Sequence, residues 1–196
     1  MKILILSIAA ITGTLSACSN TYSDKKENNS SITPAAVAGK DTATKPVPAT
    51  TTVISIKDIL DSYLQMKNAF AKDNDVAAAA AANDMTKAFA NFNKGTLTPE
   101  QAKIYNDIED DAKEHAEHIG SNAGNIKHQR EHFDMLNKDI YQLVKTFGST
   151  QKLYYDHCPM FNNGKGANWL SETKEIKNPY YGKAMSTCGA VKEEIQ

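Results

Sequence analysis

Apolar side chains recur every three or four residues through the middle of the chain, the spacing of amphipathic helices. Two segments of this kind come first. One begins at Ser55, which is predicted to form a capping-box-like pair with Asp58, and the other runs from Asp75 to Phe92. The second contains six consecutive alanines, which favour the helical conformation and allow a neighbouring helix to approach closely.

Two further helices follow, and their ends are marked more clearly. The third begins at Thr98, with a proline at the first helical position and Gln101 at the third. The fourth begins near Asn125 and stops at Gly148. Residues 55–148 are therefore expected to form an antiparallel four-helix bundle. Its predicted core contains Ile59, Leu60, Phe89, Ile108, Leu136 and Ile140.

The pattern changes in residues 149–196. Residues 152–157 and 167–170 are rich in tyrosine and other large side chains and flank a cluster of asparagine and glycine, which predicts a short β-hairpin. Elements this small need the bundle beneath them to stay ordered, so we assign this tail to the same domain.

A short helix is predicted after the hairpin, opened by Pro179 and carrying Met185 and Cys188. The predicted fold is all-α, an antiparallel four-helix bundle with a small C-terminal β-hairpin and a short helix packed on it.

The N-terminus is typical of an exported bacterial lipoprotein. Residues 1–17 combine one lysine, an apolar run too short to span a bilayer, and small residues, which is the layout of a signal peptide. They end in Leu-Ser-Ala before Cys18, which resembles a lipobox, so Cys18 is the predicted lipidation site. The alternative is an ordinary signal peptide with a nearby unpaired cysteine.

The segment of residues 18–54 contains mainly small, polar and proline residues and is expected to be a disordered tether. A lipid-anchored tether places the domain in the bacterial cell envelope. Ser19 after Cys18 does not match an acidic surface-export signal, which favours the periplasmic face of the outer membrane.

The charge balance and the motifs exclude several classes of function. The net charge of −1 argues against a nucleic-acid partner, because such proteins normally carry a basic excess. The glycines form neither a dinucleotide fingerprint nor a phosphate-binding loop, and no nucleophile elbow is present. Enzyme activity is the least supported class, and we do not expect an enzyme.

The sulfur-containing residues of the tail are the strongest candidates for chemistry. Cys158 and Met160 are two apart, which in an extended chain points both side chains the same way, and Met185 and Cys188 are three apart, one helical turn. Together they offer four soft ligands for Cu(I) or Ag(I), with His157 as an additional donor. The alternative is a structural disulfide between the two cysteines, with the methionines serving as packing residues.

Four histidines are also paired by spacing on the third and fourth helices. His115 and His118 are three apart, and His128 and His132 are four apart, so either pair can present two imidazoles from one face. Hydrogen-bonded boundary residues are the usual role of such histidines. Of the four, we take His132 as a candidate metal ligand.

The tail resembles a Bacteroidota domain family of unknown function, which occurs as stand-alone lipoproteins and fused to CusB-type heavy-metal efflux adaptors. The resemblance rests on the segment from His157 to Met160, on residues 163–171 and 175–182, and on Met185 and Cys188 with the glycine after it. It spans about residues 55–192 and includes residues 128–133 and the alanine-rich helix. It implies a helical, periplasmic domain linked to copper or silver handling.

The combined expectation is a lipoprotein that binds Cu(I) or a similar soft ion and buffers it or delivers it to an efflux adaptor or pump. The predicted metal ligands are Cys158, Met160, Met185, Cys188, His157 and His132. The alternative is an envelope interaction module without metal, stapled by a disulfide between Cys158 and Cys188. A weaker third hypothesis is a redox sensor in which these two cysteines switch between thiols and a disulfide.

Overall fold

The computed structural model describes residues 55–196. The predicted signal peptide (residues 1–17), the predicted tether (residues 18–54) and the predicted lipidation site at Cys18 lie outside the described residues. The described part is mostly helical and carries a small three-stranded antiparallel sheet at its C-terminal end. None of its helices is both long and apolar enough to cross a membrane.

Four long helices are present where the apolar spacing predicts them. They are α1 (Lys57–Ala71), α2 (Asp75–Ala90), α3 (Pro99–Ser121) and α4 (Ile126–Phe147). Each packs against the next one along the chain, and α1 also contacts α4. The short loops between them account for this order, because they keep consecutive helices adjacent.

The ends of the helices follow the capping residues with one exception. The Thr98 hydroxyl accepts a hydrogen bond from the Gln101 backbone N–H, and the Gln101 side chain accepts one from the Thr98 N–H, so the predicted capping box is confirmed. Gly148 ends α4 with φ 78°. The cap predicted at Ser55 was wrong: Ile56 occupies the cap position, and Ser55 Oγ accepts only from the Lys57 N–H.

The hydrophobic core is shared by the helices and the sheet. The six side chains predicted to be buried together lie in one cluster, each at most 5% exposed, so this prediction is confirmed. Tyr63 stacks on Phe133 with the ring centroids 5.2 Å apart. Its hydroxyl donates to Asn137 Oδ1 and accepts from the Leu170 N–H, which joins α1, α4 and the sheet at one buried point.

The tail contains one more strand than the sequence predicts. Strands β1 (Leu153–Cys158) and β2 (Ala167–Ser171) form the expected antiparallel hairpin. A third strand, β3 (Ala190–Ile195), pairs antiparallel with the other edge of β1, giving the order β2-β1-β3. Three consecutive charged residues in β3 hide its apolar alternation, because it is an edge strand with one side exposed to water.

The predicted short helix after the hairpin was wrong in its extent. Only a single 3₁₀ turn, Gly182–Met185, is present, and Cys188 lies beyond it in the loop before β3. A separate helical turn, α5 (Phe161–Gly164), connects β1 to β2 and holds Asn162 and Asn163 at φ 52° and 56°. Asparagine tolerates this left-handed region better than most residues.

Two charged side chains fasten the tail to the helices. The Arg130 guanidinium on α4 donates to the backbone carbonyls of Phe70 and Pro179 and pairs with Asp73, all at 2.7 Å. On α1, Lys67 is fully buried and its ammonium lies 2.8 Å from the Glu172 carboxylate after β2. Both links cross from helix to tail and hold the tail against the helices.

Candidate metal centre

Three histidines of α3 and α4 converge on one point at the surface. One ring nitrogen from each of His118, His128 and His132 lies within 4.8 Å of the other two. Within residues 55–196 this is the only group of three or more histidine, cysteine or carboxylate ligand atoms gathered so closely. It is therefore the best-formed candidate for a metal centre in the part of the chain that the structure describes.

Helix geometry brings these rings together. His128 and His132 are one turn apart on α4, and their ring centroids lie 4.6 Å apart. Because α3 and α4 are joined by a short turn and pack side by side, His118 near the end of α3 reaches the same place near the start of α4. Its ring stacks on that of His132, with centroids 4.3 Å apart and planes inclined by 6°.

A fourth imidazole, that of His115, is hydrogen-bonded to this group. His115 Nδ1 lies 3.2 Å from His132 Nδ1, so one of these two nitrogens carries the proton of a shared hydrogen bond. Partial burial lowers the pKa of His132, and the neighbouring His118, His128 and His115 lower it further. Burial likewise lowers the pKa of His115. Both pKa shifts favour the neutral form of the ring, which has a nitrogen lone pair that can bind an ion.

The donor set suits a borderline transition metal. Neutral imidazoles bind Zn²⁺, copper, nickel and iron, and three of them with an open fourth position are a common arrangement at metal sites. Ligand nitrogens on one tetrahedral ion are about 3.3 Å apart, so the nitrogens of this group, up to 4.8 Å apart, would have to approach one another by up to about 1.5 Å. The side chains of His118 and His128 are 46% and 35% exposed, which leaves both rings room to turn.

The two tail cysteines also come together. Cys158 ends β1 and is fully buried, whereas Cys188 is partly buried in the loop before β3. Their sulfur atoms are 2.8 Å apart, and both are free thiols in this structure. The hydrogen bond between the two sulfurs and partial burial raise the pKa of Cys188 to about 11.

The spacing arguments for the methionines do not hold in the fold. Met160 follows Cys158 after β1 has ended and has helical backbone angles, so the two-residue alternation of a strand does not apply to the pair. Met185 ends the 3₁₀ turn and Cys188 lies outside it, so they do not share a regular helical face. Met160 is 52% exposed, and Met185 is partly buried.

The predicted histidine ligands lie in two separate environments. His157 precedes Cys158 on β1, so its side chain points to the opposite face of the sheet. Its Nδ1 is hydrogen-bonded to Asn168 Oδ1 at 2.9 Å, and its ring fills the space next to Gly166. His132 belongs to the histidine group on the helices.

Of the three converging histidines, the sequence analysis proposed only His132 as a ligand and did not propose His118 and His128. The sequence did contain the signal, since pairs three and four apart on consecutive helices can face each other. What it did not contain was the rotation of α3 against α4, which decides whether two such pairs converge.

The comparisons with known proteins cover the helices. Residues 59–152 match the model of a family described as "Protein of unknown function (DUF3347)". This stretch is a domain of unknown function. The matched range spans α1 to α4 with the histidine group and stops just before β1, so both tail cysteines lie beyond it. Neither the search of curated proteins nor the search of solved structures gave a match.

Proposed function

We propose that this protein binds a copper ion, or a similar soft or borderline transition metal ion, at the histidine group. The observation that supports the proposal most is the approach of His118, His128 and His132 within 4.8 Å. Copper is favoured because a given nitrogen site binds Cu²⁺ most tightly among the first-row divalent ions, and Cu(I) also accepts imidazole. His132 then serves as the central ligand, with His115 hydrogen-bonded to its ring.

Under reducing conditions the tail would offer a second, softer site. The two thiols of Cys158 and Cys188 are adjacent, and the thioethers of Met160 and Met185 belong to the same part of the chain. Thiolate and thioether ligands select Cu(I) and Ag(I) over hard ions. We leave His157 out of this proposed site. Its ring is hydrogen-bonded to Asn168, and its side chain points to the opposite face of β1 from Cys158.

The helices are proposed to form an antiparallel up-down-up-down bundle. Short connections, the contacts of each helix with the next, and the contact of α1 with α4 support this arrangement. In such a bundle α3 and α4 are rigid supports, which fixes the histidine positions better than loops would.

We further propose that Cys18 carries a lipid anchor and that the domain faces the periplasm. There it would buffer the ion or deliver it to a heavy-metal efflux adaptor or pump. The lipobox-like sequence before Cys18 and the resemblance to domains fused to CusB-type adaptors support this location.

A second candidate function is a disulfide-stapled interaction module of the envelope that binds no metal. It is favoured by the 2.8 Å separation of the Cys158 and Cys188 sulfurs, which oxidation would join without large movement. An oxidising compartment outside the cytoplasm favours that bond.

Metal titration with matched variants tests the proposal. Purified protein is reduced under anaerobic conditions and mixed with Cu(I), Cu²⁺ or Zn²⁺, and the bound ion is counted by native mass spectrometry in the presence of a competing chelator. We expect one ion per chain at the histidine group. His118→Gln with His132→Gln should weaken that binding at least tenfold, because two of three ligands are lost.

The controls separate the two sites. His157→Gln changes a histidine whose ring faces Asn168 and should leave binding unchanged. Met160→Leu with Met185→Leu nearly conserves volume and should weaken only Cu(I) bound by the sulfurs. Histidine variants that bind all three ions as the unchanged protein does would contradict the proposal, as would the absence of any stoichiometric ion.

A further inference from the structure

A groove of about 650 Å³ lies between α4 and the tail, on a side of α4 different from the histidine group. It follows α4 from Ile126 to Met135, a rise of about 14 Å. That length matches about four residues of extended chain. The side chains that line it include Glu131, Asp134, Met135, Phe161, Tyr180 and Tyr181.

One wall of the groove is a group of three aromatic rings. Phe161 lies 4.4 Å from Tyr180 and 6.0 Å from Tyr181 between ring centroids. The Tyr181 hydroxyl donates to the Met160 carbonyl at 2.9 Å, which fixes this ring against the turn that carries Phe161. The next two residues of that turn, Asn162 and Asn163, also line the groove.

The other wall carries charged side chains, and one of them, Asp134, forms no ion pair within the described residues. Arg130 is occupied by Asp73 and two backbone carbonyls, and Lys127 lies 4.0 Å from Glu131. Across residues 55–196, no lysine, arginine or histidine lies within ion-pair distance of Asp134. Burial raises the pKa of this half-buried carboxyl, and the nearby Lys138 charge and Tyr180 hydroxyl offset only part of that effect, so its negative charge is incompletely compensated.

We propose that this groove binds a basic side chain, in particular an arginine, of a peptide segment of a partner protein. A guanidinium can lie over an aromatic face and pair with a carboxylate at the same time, and the Asp134 wall and the ring wall offer these two partners. None of the cations over aromatic rings in the described part of the chain lies over Phe161 or Tyr181, and both rings are partly exposed. Tyr180 is buried and packs against Phe161 from the protein side.

A peptide fits better than a small free amine. The groove is open along its length and is larger than one side chain needs. Two of the large hydrophobic side chains that remain exposed, Met135 and Met160, lie in the groove and beside its aromatic wall. They would contact apolar neighbours of the bound arginine, and flexible methionines are suited to such recognition surfaces.

Two matched peptides test the proposal. The probe is an acetylated, amidated Ala-Leu-Arg-Leu-Ala, and its control replaces arginine by citrulline, which has nearly the same shape without the charge. Binding to the full chain is followed by ¹⁵N NMR titration in the presence of a metal chelator, so that its outcome is independent of the histidine group. We expect shifts in α4 and in residues 161–163 and 180–181, and at least tenfold weaker binding of the citrulline peptide.

Variants of the protein complete the test. Asp134→Asn keeps the size of the side chain and should weaken the arginine peptide about tenfold, whereas Asp84→Asn removes the same charge from an exposed position on α2 and should not. Equal binding of both peptides, no shifts at millimolar peptide, or an unchanged affinity in Asp134→Asn would overturn the proposal. Free arginine amide binding as tightly as the peptide would overturn the assignment to a peptide partner.

Discussion

Asp156 lies in the middle of the central strand β1 and is fully buried between the sheet and the helices. Neither of its carboxylate oxygens makes a well-aligned hydrogen bond, and the indole N–H of Trp169, the residue opposite it on β2, is near but not well aligned with it. Burial raises the pKa of Asp156 to about 6, while the charge of Lys67 and the nearby Trp169 indole N–H act in the opposite direction. The folded protein therefore favours the neutral form of this carboxyl more than the unfolded chain does, and ionises it only as pH rises through about 6.

The pH dependence of stability follows from that shift. In the unfolded chain the carboxyl titrates near its ordinary value of about 3.9, so its ionisation opposes folding increasingly as pH rises from 4 to 6. Asp156→Asn removes the charge, and we expect it to raise the free energy of unfolding by up to about 3 kcal/mol at pH 7 and by little at pH 4. Urea unfolding at both pH values measures the difference.

The matched control is Asp110→Asn, which removes a carboxylate from the exposed face of α3 and should change stability equally little at both pH values. A stabilising effect of Asp156→Asn that is the same at pH 4 and pH 7 would contradict the assignment to ionisation.

At the scale of elements, the cysteine pair links the end of β1 to the loop before β3. A bond between Cys158 and Cys188 closes a loop of about 30 residues, and the loop-entropy relation assigns it roughly 3–4 kcal/mol. We expect the air-oxidised protein to be more stable than the reduced protein by about this amount, and Cys188→Ser to equal the reduced form. Unfolding curves with and without reductant measure this difference in stability. Alkylation followed by mass spectrometry counts the free thiols in each sample.

The hypothesis of a structural disulfide would fail if two free thiols per chain remained after oxidation. In that case the adjacent sulfurs would be available as ligands, which is the outcome the soft-metal hypothesis requires.

The helices were predictable because local residues determine them. Thr98, Pro99 and Gln101 specify the start of α3 without help from the rest of the fold. Strand β3 was not predictable in this way, because its pairing with β1 depends on a partner more than thirty residues earlier in the chain. The same distinction applies to the site: the spacing of His128 and His132 is local, whereas their convergence with His118 depends on helix packing.

At the scale of the whole molecule, we predict that the N-terminal cysteine Cys18 anchors the protein to a membrane. If Cys18 is lipidated, Cys18→Ser should move the protein from the membrane fraction to the soluble periplasm or leave it as uncleaved precursor. Fractionation followed by intact mass of the purified protein distinguishes these outcomes. Native protein recovered entirely in the soluble fraction, with no lipid mass, would contradict the anchor. The control is Ser19→Ala, which should leave the distribution between the membrane and soluble fractions unchanged.

The buried lysine of α1 has a consequence for how the chain is made. Lys67 is surrounded by the fold, and its acidic partner Glu172 follows it by 105 residues. While the protein is being synthesised, the first helix emerges long before this carboxylate exists, so burying the lysine at that time would leave its charge uncompensated. Early compaction is thereby penalised until the tail arrives. The packing around this lysine can therefore be completed only after Glu172 has been added to the chain.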